Sequence, residues 1–167
     1  MPFASDSSSR VRISQIAKVP VRIVCTPGSN MLACTHEFLT AYANSHQGPQ
    51  VGQRVSVAVY ELFENAMSYG RISSDIVLEL VETPNSLAVR VSNESIPARI
   101  SMLAAHVSRV QAGAEATFVE EMKRSVMGGT PRAMLGLARV VFEAKMDLTL
   151  EIDGLLVCVT ASSRVRT

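Results

Sequence analysis

Apolar positions along the chain follow two periods, and the switches between them mark out its elements. The β-branched stretches at 11–16 and 19–25 read as strand. Pro27-Gly28-Ser29-Asn30 is a turn with a helix start, and the pattern then predicts a helix to about His46, broken at Gln47-Gly48-Pro49. From about 51 to 69, Val55, Val59, Leu62 and Ala66 recur at i, i+4, i+7 and i+11, one apolar stripe of a helix that Gly70 is expected to close as a left-handed cap. Ile76 to Glu82 and Leu87 to Ser92 alternate and are joined by Thr83-Pro84-Asn85-Ser86, which predicts an antiparallel hairpin. Helical spacing returns at about 97–111 and 115–126, interrupted at Ala112-Gly113. Leu103, Val107 and Val110, and later Phe118 and Met122, should turn this segment down onto the domain or onto a second chain. Gly128-Gly129-Thr130-Pro131 opens a helix to about Ala144, with Thr130 as N-cap and Pro131 in the first helical position. Leu148 to Ile152 and Leu155 to Thr160, turned by Asp153-Gly154, predict a closing hairpin.

This order predicts an α+β fold. It is a two-layer α/β sandwich in which helices 29–46, 51–69 and 131–144 lie on one face of a mixed, mostly antiparallel sheet. A chain of 167 residues holds one core. The expected organisation is a Ser-rich tail at 1–9, a single domain at 10–161 with a lid-like helical insert at 97–129, and a short tail at 162–167. With 16 basic and 15 acidic residues the net charge is +1, which gives no long-range pull toward nucleic acid or a membrane. No apolar run reaches the roughly 18 residues that span a bilayer, and the start has no signal-peptide core, so the expected location is the cytoplasm. Cys25, Cys34 and Cys158 lack C-x-x-C spacing and read as buried thiols of a reducing compartment.

Candidate chemistry concentrates in Glu61 and Asn65, four apart and therefore on one helix face beside the apolar stripe. A carboxylate there can orient a nucleophile, and an amide oxygen can help hold magnesium with room left for phosphate oxygens. The same spacing also suits an ordinary helix-surface contact.

Beyond that pair, the chain resembles the ATPase-like fold shared by gyrase, the MutL repair proteins, sensor histidine kinases and anti-sigma-factor serine kinases, often called the GHKL or Bergerat fold. The resemblance covers about residues 20–161. It casts Glu61 as the general base and Asn65 as the magnesium ligand, with Asn65-Ala66 and Tyr69-Gly70 matching the end of the family's first motif. The adenine box corresponds to Asn93-Glu94-Ser95-Ile96-Pro97 after the strand Val89-Arg90-Val91. There Asn93 replaces the family's Asp, Ser95 replaces a glycine, and Pro97 lies within the family's range. The phosphate box ends Ala133-Met134-Leu135-Gly136-Leu137, keeping Leu135, Gly136 and Leu137 but not the two earlier glycines. Arg132 falls in the first turn of that helix, where the dipole disfavours a cation by about 0.5 kcal/mol unless an anion or acidic partner compensates; an exposed arginine with its head in water is the plainer alternative. Thr35-His36-Glu37-Phe38-Leu39-Thr40 looks like a histidine-kinase phosphoacceptor segment, but it lies too close to Glu61 and reads as helix surface.

A free-standing domain of this size is most similar to the small bacterial anti-sigma and switch-kinase regulators. That similarity implies a protein partner, a sigma factor or an anti-sigma antagonist, and ATP with Mg2+ as possible cofactors. Two mechanisms follow: phosphate transfer to a partner serine or threonine through Glu61 and Asn65, or docking by a fold that no longer takes nucleotide. A scaffold or homodimer unrelated to nucleotide is the third reading.

Overall fold

The computed structural model describes residues 17–27, 30–83, 86–128 and 132–164. Among these, strands β1 (Lys18–Cys25), β2 (Ile76–Thr83), β3 (Ser86–Glu94), β4 (Asp147–Asp153) and β5 (Leu156–Arg164) form one sheet in the order β1-β2-β3-β5-β4. The expected mixed sheet is antiparallel at every described ladder. Helices α1 (Met31–Gln47), α2 (Pro49–Tyr69), α3 (Pro97–Ala112), α4 (Ala114–Val126) and α5 (Arg132–Phe142) make the second layer. The segment 11–16, expected as strand, and Thr130 and Pro131 lie outside the described residues.

Period-two patterning explains the layering. Ile23, Leu78, Val91, Val159 and Leu150 stand side by side across all five strands and join the core beneath the helices. One position along, Arg22, Glu79, Arg90, Thr160 and Thr149 make the matching row on the opposite face. There Glu79 bridges Arg22 at 3.4 Å and Arg90 at 3.7 Å, a charged row suited to water. Edge strand β1 shifts register between Lys18 and Val21, around Pro20, which has no N–H to give a ladder.

The α2 stripe is realised as read: Val55, Val59, Leu62 and Ala66 are all buried. This helix packs on β2, β3 and β5, pairs with α1 along its length, and carries α5 on its flank. His36 links the hairpin helices, its Nε2 lying 2.7 Å from Ser56 Oγ with its ring edge-on to Tyr60.

Several expectations are corrected. Strand β5 continues to Arg164, beyond the tail boundary set at 161, because Ser162 and Ser163 pair with Ala88 and Leu87. Gly70 is extended (φ −69°, ψ 165°) and not left-handed. Its glycine serves close approach, since a Cβ there would lie 2.4 Å from Ala66 O and 2.5 Å from Asn93 Nδ2. Only Cys25 of the three thiols is buried, and Cys34 is on the solvent side of α1. In the insert, Leu103, Val107, Val110 and Phe118 pack down as expected, but Met122 faces outward and Glu121 takes the inward place.

Candidate functional site

Glu61 lies mid-way along α2 with 4% of its surface exposed. A carboxylate so placed needs a cation, and Arg139 of α5 supplies it: Nη1 bridges Glu61 Oε1 while Nε bonds Glu143 Oε2 at 2.9 Å. Burial lowers the pKa of this guanidinium, but the Glu143 hydrogen bond and the charges of Glu61 and Glu143 outweigh that and raise it. The two helices come this close because of Gly136. A Cβ at that position would meet Glu61 Oε2 at 2.2 Å and Glu61 Cβ at 3.2 Å. The glycine that resembles a phosphate-loop residue thus packs against the carboxylate that resembles a general base.

Asn65, one turn on, is also buried. It borders a cavity of about 10 Å3 with Tyr69 from its own helix and Met102, Leu103 and His106 from α3. Room for one water remains between the amide and the insert. The insert therefore sits on Asn65 itself.

The residues matched to the adenine box cap α2. Ala66 O keeps its intrahelical donor, the Gly70 N–H at 2.8 Å, but the carbonyls beyond it run out of such donors. Ser95 Oγ donates to Tyr69 O at 2.6 Å, while Asn93 Nδ2 adds a second, long bond to Ala66 O at 3.4 Å and donates to Glu94 O at 3.1 Å. Arg99 Nη1 adds a bond to Gly70 O at 2.9 Å. Ser95 also bridges Gly70 across strand-like backbone, and its N–H bonds Leu155 O at 2.9 Å. Pro97 occupies the first turn of α3, where its missing N–H costs nothing. Beside this cap a cavity of about 180 Å3 is lined in part by Met67, Gly70, Arg71, Ile76 and Asn93.

In α5, Leu137 is wholly buried and Leu135 partly so, both as core residues. The Arg132 side chain lies outside the described residues, although its backbone opens α5. The structure thus brings Glu61 together with Gly136, covers Asn65 with α3, and gathers Asn93 and Ser95 at the end of α2. Among the described residues, the space against Gly136 is filled by Glu61, and the insert sits on Asn65.

Four residues at the site carried no legible motif. Arg139 and Arg99 are single arginines that reach Glu61 and the Gly70 carbonyl across long stretches of sequence. His106 and Glu121 meet under the insert, Nδ1 to Oε1 at 3.2 Å, with both side chains almost wholly buried. Arg109 Nη2 lies 3.7 Å from the same carboxylate oxygen. For Glu121 a signal existed, because it is the acidic residue three after Phe118 on the inward stripe of α4.

Among the described residues no helix is long and apolar enough to cross a membrane. No family model and no curated protein matches this chain. Its fold is similar to that of a chain in the crystal structure of the SiaB-SiaC complex from Pseudomonas aeruginosa, with a TM-score of 0.63 over 88% of this chain and 91% of that one. The two sequences are 12% identical, so the likeness is one of fold.

Proposed function

We propose that this chain is a bacterial regulatory protein that acts by binding another protein, a sigma factor or an anti-sigma antagonist. In this reading its ATPase-like, GHKL-type site no longer serves nucleotide. The observation that carries it is the double closure of that site: Arg139 holds Glu61, and α3 rests on Asn65. A general base must be free to meet the hydroxyl it deprotonates, and this one is held by a guanidinium. The similar fold in a solved complex of two proteins supports a protein partner. The docking surface would be the outer side of the insert, where Val119, Met122, Val126 and Met127 of α4 and its end are exposed, as is Met102 of α3. Methionine-rich surfaces adapt to partners readily.

A second reading, a protein serine/threonine kinase using ATP and Mg2+, is favoured by one feature. Glu61 and Asn65 both survive on one buried face. The two readings separate in calorimetric titration with magnesium and a non-hydrolysable ATP analogue. The docking reading expects no saturable heat at millimolar nucleotide, and partner capture through a photo-crosslinker at Val126 that Met127→Asp abolishes. Magnesium-dependent saturation would overturn it in favour of the kinase.

A further inference from the structure

The buried carboxylate of Glu121 has no place in either mechanism, yet its surroundings are unusual. Its two oxygens are sealed from solvent without a hydrogen bond of good geometry. Such a group is costly to keep charged unless it is paired or protonated. The groups facing it can be named element by element. From α3 come His106 and Arg109. From α2 comes the Tyr69 phenol, whose pKa is raised first by burial and then by the Glu121 charge. On α4 itself Arg124 and Glu120 act at longer range. Helix α5 meets α4 through Phe142 on Phe118, and its charged Arg139 is engaged with Glu61 and Glu143.

We propose that Glu121 is a proton-operated latch of the α3–α4 insert: protonated, it sits neutral against His106 and holds the insert closed, and ionised, it favours the insert's release. The permanent cation it faces, Arg109, compensates only in part, because it is half exposed, 3.7 Å away and shared with the nearer His106 Nδ1 at 3.1 Å. Burial accordingly pushes the Glu121 carboxyl up to about 7, with Arg109 and Arg124 pulling it back. The sign follows from linkage. An acid whose pKa is higher closed than open stabilises the closed form fully below the open value near 4.5, and that stabilisation is lost as pH rises to about 7. Opening therefore increases by roughly tenfold per pH unit over this interval and levels off above it. The latch holds whether or not nucleotide binds.

The test is amide hydrogen exchange of the intact protein from pH 5 to 8, with the intrinsic exchange rate divided out. The expected result is opening of 97–126 that grows more than tenfold from pH 5 to 7 and then flattens, against unchanged protection in α2. Glu121→Gln, neutral at every pH, should keep the insert protected throughout. PH-independent protection in the wild type, or the same pH dependence in Glu121→Gln, overturns the latch. Should the variant fail to fold, a carbon-13 titration of the wild-type Glu121 carboxyl decides: a midpoint above 6 supports the latch, and one near 4.5 overturns it.

Discussion

Arg139 of α5 reaches across to α2 and bridges the buried carboxylate of Glu61, although the two residues lie 78 positions apart. The pair is asymmetric. Arg139 keeps a second partner in Glu143 and contact with water, while Glu61 is only 4% exposed. Removing the arginine should therefore cost more than removing the acid. Arg139→Ala is expected to lose about 2–3 kcal/mol, trimmed by the partial exposure of the guanidinium, and Glu61→Ala about 1 kcal/mol. Urea unfolding at neutral pH measures both, and equal losses would mean that the bridge does not carry the contact between α2 and α5.

Gly136 tests the same contact from the other side. Alanine in a helix normally gains about 1 kcal/mol over glycine, but here its Cβ would press on Glu61 from Cβ to Oε2. Overpacking of this kind costs about 1–3 kcal/mol, so Gly136→Ala should lower Tm despite its better propensity. Gly113→Ala is the control: its Cβ would meet nothing nearer than Ala116 Cβ at 4.0 Å, and the change should stay within about 0.5 kcal/mol. A Tm for Gly136→Ala at or above wild type would show that α5 can draw away from Glu61 at no cost.

The inner and outer sides of α4 should respond differently to truncation. Phe118 is buried against the Phe142 ring, centroids 5.3 Å apart, whereas Met122 is open to solvent. Phe118→Ala should cost about 3–4 kcal/mol and Met122→Ala within about 0.5 kcal/mol. Comparable losses in thermal unfolding would place Met122 inside and restore the stripe expected from spacing alone.

That swap of Met122 for Glu121 illustrates what the sequence could tell. Periodicity finds an element and its buried side when apolar residues mark it, as Val55, Val59, Leu62 and Ala66 do, and alternation likewise located both hairpins. It misassigns a position whose inward residue is ionisable, because burial of Glu121 is tolerated through His106 and a displaced pKa that no local pattern records. The site behaved the same way. Glu61, Asn65 and Gly136 were legible as residue types, but whether they form an open cradle depends on Arg139 and α3, which only tertiary packing brings there. Gly70 was legible as a helix end, yet its reason is the approach of Asn93 and not a left-handed turn.

The closed insert sets a quantitative limit on nucleotide. For phosphates and magnesium to reach Asn65, α3 must lift, exposing Leu103, Val107 and Val110. Uncovering three such side chains costs on the order of 5 kcal/mol at about 1.5–3 kcal/mol each. A shift of that size weakens apparent affinity by roughly 4,000-fold, which would carry an intrinsically micromolar nucleotide into the millimolar range. At 1 mM magnesium–ATP the insert is therefore expected to stay closed in most molecules, an about-millimolar site being at most half filled. Equilibrium titration with magnesium–ATP, with Asn65→Ala alongside, measures this. Saturation below about 0.1 mM, abolished in Asn65→Ala, would show that the insert yields readily to ATP and that the kinase reading is the right one.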